Sequence, residues 1–585
     1  MTRSRSWPNL STKGSPEGCM TTLCQILHQN LTQSPDKVIM RLIAAAKPDE
    51  ELSYTRFIQG AAGYARALDL AGIKPGEVVI LVLQHGSDLI FSFWGAILHG
   101  AIPSIMPFLT EKLSPERYQE DMASLLQITR PAALITYPEF YPVVMETLHA
   151  EDSVRAVLVT HDIQPWVDVD LIALSGFKRS PDDIVLLQHS SGTTGLQKGV
   201  ALSHQAVLNQ LESYSQAIHL APDDVIVSWL PLYHDMGLIA GFIMPILWRI
   251  PLVIMSPFDW VRAPYRLMQA VSSYKGTLSW LPNFAYNFCS QKIRSRDLEG
   301  VDLSSWRGVI NCSEPMRWES HQLFIDKFKP YGLRPEALKT CYAMAENVFA
   351  VSQGGFEETV TVDEIDQKSF ITRRVALPSN KAGETIKLLS AGRPIAATHL
   401  KVLDEHHQPL ADRQVGEIAL HSNCMLSGYY KRDDLTQKAF HAGWFLTGDL
   451  GYTAGGEVYV VGRKKDLIIV GGKNVYPQDL EAIANQVPGV HPGRVVAFGV
   501  FNPEMGTEDV AMVAEVDSED EEARERIEDE IRQRVTRGSA IALRQVMVVG
   551  PKWIIKTSSG KIARPANRDK YLEAVAKRQA ADKGA

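Results

Sequence analysis

Ser190-Ser191-Gly192-Thr193-Thr194-Gly195-Leu196-Gln197-Lys198-Gly199-Val200 is a run of glycines and hydroxyls with one lysine, a composition that packs poorly and suits a bound phosphate. Just before it, Ile184-Val185-Leu186-Leu187 has the length and composition of a buried strand, and after Ser203 the residues Val207, Leu211, Tyr214 and Ile218 recur at helical spacing. The loop therefore joins two buried elements. Gly192, Gly195 and Gly199 let the backbone approach an anion closely, Ser190, Ser191, Thr193 and Thr194 offer hydroxyls, and Lys198 brings positive charge. The spacing is not that of a Walker A loop, where four residues separate a glycine from Gly-Lys-Ser/Thr. Alone, such a run is more often a flexible surface loop; its strand context and the motifs downstream reverse that reading.

The chain has 585 residues, enough for several domains, and its 45% hydrophobic and 22% charged residues are those of a soluble globular protein. Sixty Lys+Arg against 67 Asp+Glu give a formal net charge of -7, so no strongly basic surface points to nucleic acid. The cysteines Cys19, Cys24, Cys289, Cys312, Cys341 and Cys424 contain no CxxC pair and fit reduced thiols in a cytoplasmic protein. Two apolar stretches, 88–108 and 238–258, are broken by His99, Gly100 and Pro103 and by Pro245, Arg249 and Pro251, short of the ~20 apolar residues of a membrane span. Residues 1–19 carry Arg3, Arg5, Pro8, Lys13 and Pro16 without an apolar core, which predicts a disordered leader and no secretory signal.

From Met20 to about Arg179, helical and strand patterns alternate, as in residues 57–70 and 78–83, which predicts a layered α/β domain. A second α/β region is expected from the opening stretch to about Ala397. In it, Trp229-Leu230-Pro231-Leu232-Tyr233-His234-Asp235-Met236-Gly237-Leu238 sets an imidazole and a carboxylate beside a glycine after a short strand. Cys341-Tyr342-Ala343-Met344-Ala345-Glu346 offers an aromatic face and a carboxylate able to hold a hard cation such as Mg²⁺. Short strands near 400–403 and 416–420 suggest a small β-rich unit ending in a Thr447-Gly448-Asp449 turn, whose carboxylate suits the hydroxyls of a ribose. The charges of Gly462-Arg463-Lys464-Lys465-Asp466 between apolar strands mark a solvated linker, and the domain boundary is placed at Lys465. Beyond it a small α/β domain is predicted, with Ile527, Ile531 and Val535 on the buried stripe of a helix and Glu/Arg pairs outside. Near its end, Lys556-Thr557-Ser558-Ser559-Gly560-Lys561 is a second small-residue loop bearing lysines.

In this order, 190–200, 229–238, 341–346, 447–449, 462–481 and 556–561 resemble the adenylate-forming (AMP-binding) superfamily of acyl-CoA synthetases, luciferases and peptide-synthetase adenylation domains. Arg262-Ala263-Pro264-Tyr265-Arg266-Leu267, Leu281-Pro282-Asn283-Phe284-Ala285-Tyr286, Asn311-Cys312-Ser313-Glu314-Pro315 and Asn474-Val475-Tyr476-Pro477-Gln478-Asp479-Leu480-Glu481 look most like the fatty acyl-AMP ligases. A long polar segment after Glu346, with about 370–387 near its end, stands where those ligases carry an insertion thought to restrain the C-terminal domain. Departures also occur: Cys312-Ser313 replace the usual Gly-Ala, and Ala343 replaces glycine, which adds atoms where the backbone should approach adenine.

The resemblance implies an α/β fold with a large N-terminal domain, 20–464, of two α/β subdomains plus a small β-barrel, and a small mobile α/β C-terminal domain, 465–585. It implies ATP-dependent activation of a medium- or long-chain fatty acid to an acyl-adenylate with release of pyrophosphate. The acyl group then passes to a separate acyl carrier protein or a carrier domain of a polyketide or peptide synthase. By the same resemblance Lys561 bridges carboxylate and α-phosphate, and Ser190, Ser191, Gly192, Thr193, Thr194, Gly195 and Lys198 hold the β- and γ-phosphates. Tyr342 stacks on adenine, Asp449 and Arg463 hold the ribose, and Glu346 holds Mg²⁺. His234 lines the carboxylate end of an acyl tunnel walled by 238–258 and 280–288, and Lys465 or Asp466 is the pivot. The alternatives are a long-chain fatty acyl-CoA ligase, with coenzyme A as acceptor, and a nucleotide- or lipid-binding homologue without catalysis. Retention of Lys561, Glu346, Asp449 and Lys198 together argues against the latter.

Overall fold

Val78–Val82, Ile102–Ile105 and Ala133–Thr136 are strands buried at every position, the pattern of a parallel sheet covered on both faces. The computed structural model describes residues 21–44, 48–108, 115–149, 152–190, 198–379, 385–470, 473–502, 507–539, 541, 543–557 and 561–584. Those three strands pair in parallel and continue into Ala156–Val159. On the other side lies Ile184–Ser190, with Leu187 opposite Ser104. It pairs antiparallel with Lys198–Ser203, Ser190 standing opposite Lys198. Gly428–Tyr429 then adds an edge and completes a seven-stranded sheet. The helix His204–Ala217 follows, capped by the Ser203 hydroxyl, with Val207, Leu211 and Tyr214 buried as their spacing predicts.

The opening stretch thus closes the first sheet, where sequence order assigned it to the second region. The second sheet has nine strands. Its parallel centre is Leu252–Met255, Ile226–Ser228, Leu278–Leu281, Gly308–Asn311 and Leu338–Ala343; Val38–Ile43 adds in parallel beside Leu252–Met255, and Glu50–Ser53 forms the edge. Parallel partners are joined by long crossovers, so strand order is not a local property of the sequence. Between the sheets, helices Tyr54–Leu70 and Ser87–His99 meet at Gly95, where a Cβ would lie 2.5 Å from the Ala61 carbonyl oxygen.

A five-stranded antiparallel sheet follows, containing Thr398–Leu403, Gly416–Ser422, Trp444–Ala454 and Glu457–Arg463. Thr447-Gly448-Asp449, expected as a turn, lies inside the strand Trp444–Ala454. Gly448 takes φ 71° there, next to a register shift against Glu417 and Ala419. This bulge turns Asp449 off the regular pleat. The segment after Glu346 folds as a hairpin, Val362–Asp366 with Thr385–Leu389, enclosing the helix Gln367–Arg373; residues 380–384 of the expected insertion and the expected leader 1–19 lie outside the described residues.

The remaining chain builds a three-stranded sheet of Val490–Asn502, Thr507–Val516 and Leu543–Val549 with its own apolar cluster. On the helix Glu521–Ser539, Ile531 and Val535 are fully buried, and Glu528 and Arg532 pair outside at 2.7 Å. Among the described residues, no helix is long and apolar enough to cross a membrane.

Buried histidines make this fold acid-sensitive. Burial pushes His204 and His321 down to about 4 from the ordinary 6.5, so the folded chain keeps them neutral while the unfolded chain protonates below about 6.5. Stability therefore falls as pH drops from 6.5 towards 4, by roughly 1 kcal/mol per histidine between pH 7 and about 5.5. Melting curves of wild type and His321→Gln should converge as pH falls; parallel profiles would contradict the assignment.

Candidate active site

Three groups of side chains lie within electrostatic reach of one another. In the first, the strand Leu338–Ala343 presents Tyr342, whose hydroxyl donates to Asp449 Oδ2 at 2.7 Å. Asp449 Oδ1 lies 3.3 Å from Arg463 Nε, and Asp449 and Arg463 stand opposite one another on paired strands. Burial, then the Asp449 charge, raises the Tyr342 hydroxyl well above its ordinary range, so it acts as a donor. The extra atoms of Cys312 are accommodated: its side chain is fully buried and acts on the Cys341 thiol of the adjacent strand.

The second group follows directly along the chain. Glu346 sits in a 3₁₀ turn, Ala345–Asn347, after which Val348 adopts φ 62°, ψ -53°. The Phe349 amide donates to the Asn347 carbonyl at 2.6 Å, closing a γ-turn around that residue. For a β-branched side chain this conformation is strained by about 1–3 kcal/mol, the kind of local cost that gathers at functional sites. Burial raises the Glu346 carboxyl above its usual range, and the Tyr429 hydroxyl donates to its Oε1 at 2.9 Å. Lys198 Nζ lies 4.7 Å from the centroid of that same Tyr429 ring. At the foot of the loop, His189 contacts the buried Ser104 hydroxyl, and burial pushes its imidazole down to about 4. Ser191, Gly192, Thr193, Thr194 and Gly195 lie outside the described residues; of Ser190 only the backbone pairing with Lys198 is described.

In the third group, Asp235 accepts from the Met236 amide at 2.8 Å and caps a π-helix, Met236–Ile243, a rare helix type frequent at functional sites. Gly237 is required there, because a Cβ would lie 2.3 Å from the Pro231 carbonyl oxygen. His234 precedes this helix. Burial and the nearby Lys561 ammonium push it down to about 3, so the imidazole is neutral, and its buried Nε2 has no hydrogen-bond partner among the described residues. The Lys561 charge also acts on Asp235 and on Glu314, whose carboxylate accepts from the Phe284 amide at 2.9 Å. Lys561 reaches this group on a short loop where the Thr557 amide donates to the Lys561 carbonyl at 2.7 Å. Beside it, Trp229 and Trp260 stack at 3.5 Å and Phe284 packs edge-on against both.

The AMP-binding enzyme family matches residues 27–430. The chain belongs to that family. It is 30% identical to the medium-chain-fatty-acid–acyl-carrier-protein ligase JamA of Moorena producens, over 94% of this chain and 95% of that protein. A solved structure from a study of fatty acyl-adenylate ligases of E. coli and L. pneumophila superposes with a TM-score of 0.86 at 28% identity, over 95% of this chain and 98% of that one. A second, the L. pneumophila fatty acyl-adenylate ligase in complex with acyl adenylate and pyrophosphate, gives 0.71 at 29% identity, over 94% and 96%.

The fold of this AMP-binding enzyme also brings in residues that the motifs did not single out, chiefly Tyr429, beside Glu346 and Lys198, and Arg317. The charged run 463–466, expected as a solvated linker, is exposed at Arg463, Lys464 and Lys465 and is also paired: Lys464 lies 2.7 Å from the nearly buried Glu417, and Asp466 faces Arg564 at 3.7 Å. Lys465 stands within electrostatic reach of Asp449 and Lys198. Across from that run, the Phe370 ring stacks on Tyr476 with centroids 5.8 Å apart, Gln367 donates to the Gly538 carbonyl, and Arg317 donates to the Gln478 carbonyl at 2.8 Å. These contacts hold 476–538 against the rest of the AMP-binding enzyme. The double variant Arg317→Ala/Phe370→Ala should be cut faster by trypsin after Lys464 or Lys465 than wild type; an unchanged cleavage rate would contradict the tether.

Proposed function

We propose that this chain is a fatty acyl-AMP ligase that activates a fatty acid with ATP and hands the acyl group to the thiol of a separate acyl carrier protein. The observation that carries the reading is the convergence of Lys561 on His234 and Asp235, on the site that also holds the Tyr342–Asp449–Arg463 cluster. The named activities of the similar ligases, and the acyl adenylate and pyrophosphate bound by one of them, agree with it.

In the reaction, a carboxylate oxygen attacks the α-phosphorus in line, the bond from that phosphorus to the bridging oxygen of the β-phosphate breaks, and pyrophosphate leaves. Two anions must meet, at a cost of about 1 kcal/mol at ~4 Å in water and about 4 kcal/mol at an effective dielectric near 20. Lys561 supplies the charge between them. The neutral His234 offers its unpartnered Nε2 to the acid's carboxylate, while the π-helix 236–243 and the Trp229, Trp260 and Phe284 cluster form apolar wall for the chain. Tyr342, held through its hydroxyl, offers its ring to adenine; Asp449 and Arg463 take the ribose; Lys198, with the loop 190–195, takes the β- and γ-phosphates.

The Glu346 carboxylate fits a divalent cation. Burial disfavours its charge, no ion pair offsets that among the described residues, and Tyr429 engages one oxygen and leaves the other for a metal. Mg²⁺ typically binds through one or two carboxylates plus substrate phosphates, and here it would neutralise charge on the departing pyrophosphate. In the second step the carrier thiol attacks the acyl carbon and AMP leaves. In that step the C-terminal unit, 465–585, turns about Lys465 or Asp466 and withdraws Lys561 from the acyl carbon. The buried, free thiols among the described cysteines suit a cytoplasmic location.

Acid-dependent exchange of labelled pyrophosphate into ATP tests the first half-reaction. Wild type should exchange with medium- or long-chain acids, and Lys561→Ala should fall by about 10² or more. Near wild-type exchange by that variant would remove Lys561 from the mechanism, and absence of exchange by the native chain would mark it as a binding protein.

A further inference from the structure

Tyr429 touches two ionic groups with one side chain. Its hydroxyl donates to Glu346 Oε1 at 2.9 Å, and its ring lies beneath the Lys198 ammonium, 4.7 Å from Nζ to centroid. The side chain is 6% exposed, and the backbone around it is fixed to both partners. Gly428 and Tyr429 pair antiparallel with Ala201 and Val200, on the strand that begins at Lys198. The Tyr430 amide donates to the Gly199 carbonyl at 2.7 Å and the Leu426 amide to the Glu346 carbonyl at 2.8 Å. The Thr436 hydroxyl accepts from the Tyr429 amide at 2.9 Å. The segment 426–430 is therefore a strap joining the Glu346 turn to the strand that leaves the phosphate loop.

The chemistry of tyrosine suits this place better than a charged residue would. A lysine or arginine here would neutralise Glu346 and compete with a metal; an aspartate or glutamate would neutralise Lys198 and compete with phosphate. A phenol does neither. It donates one neutral hydrogen bond to the anion, and its ring face attracts the cation through the quadrupole, so it orients both without cancelling either charge. Packing alone would be served equally by phenylalanine, which has no donor to leave buried.

We propose that Tyr429 is a positioning residue that couples metal capture at Glu346 to the phosphate lysine Lys198, so that the two sides of the leaving pyrophosphate are held as one unit. The proposal rests on the reading of Glu346 as the metal carboxylate and Lys198 as a phosphate ligand. Outer residues that orient a metal's carboxylate typically change affinity by about 10- to 100-fold when their donor is removed.

The test titrates Mn²⁺, whose free form is read by its paramagnetic resonance signal, into the full-length chain saturated with a non-hydrolysable α,β-methylene ATP analogue. Tyr429→Phe, which keeps the packed ring, should bind Mn²⁺ about tenfold or more weakly while retaining its metal-free affinity for the analogue. Tyr429→Leu, which also removes the ring under Lys198, should lose affinity for pyrophosphate, measured without metal, that the Phe variant retains. Glu346→Gln separates the premises. If it binds Mn²⁺ like wild type, the metal reading of Glu346 and the proposal fall together. If Glu346→Gln loses Mn²⁺ while Tyr429→Phe binds it like wild type, the proposal alone is overturned and the hydroxyl serves packing only.

Discussion

Repulsion between a fatty carboxylate and a triphosphate is the constraint on which the rest of the structure depends. Neither anion can be brought to the other in a partly dry site without a cation between them, and in the proposed mechanism one ammonium, Lys561, answers for it. The nearest fixed groups are arranged around that charge. His234 is kept neutral by burial and by Lys561 itself, so it adds no second cation that would hold the acid too firmly before reaction. Asp235 and Glu314 lie within reach of the same ammonium, and both are committed to backbone amides, Met236 and Phe284.

Placing that ammonium on a separate unit has a structural consequence. The loop of Lys561 is carried by the three-stranded sheet and its helices, which have their own apolar cluster, so the site is complete only when the two parts meet. The hairpin 362–389 and Arg317 bear on that meeting through Tyr476, Gln478 and Gly538. Arg564, three residues from Lys561, is tied to Asp466 and Glu481, which links the lysine loop to the run where the chain crosses between the parts.

Much of this was legible in the sequence where local periodicity or motif order carries the information. The strand at 184–187, the helix 204–217 and the charged helix 521–539 read correctly because burial repeats at a fixed period. The placement of Tyr342 beside Asp449 and Arg463 followed from motif order through resemblance, never from spacing. Three features were hidden for physical reasons. The π-helix 236–243 has an apolar composition that any buried helix shares. The strained turn at Val348 puts a β-branched residue where propensity forbids it, which only surrounding structure can enforce. Tyr429 lies in an uncharged stretch, Met425 to Tyr430, whose meaning comes from partners far away in the chain. Sheet membership of the opening hairpin was misread for the same reason: parallel pairing is decided by tertiary contacts.

The central claim is that the acyl-adenylate formed at Lys561 is discharged to a protein-borne thiol. The most direct measurement mixes the native chain, ATP labelled at the α-phosphate and a chain-length series of fatty acids, then adds either a thiol-bearing carrier protein or coenzyme A and follows labelled acyl-adenylate and AMP. The account predicts that acyl-adenylate accumulates, is discharged by the carrier and persists with coenzyme A. Rapid formation of acyl-CoA would contradict it and make the chain a fatty acyl-CoA ligase.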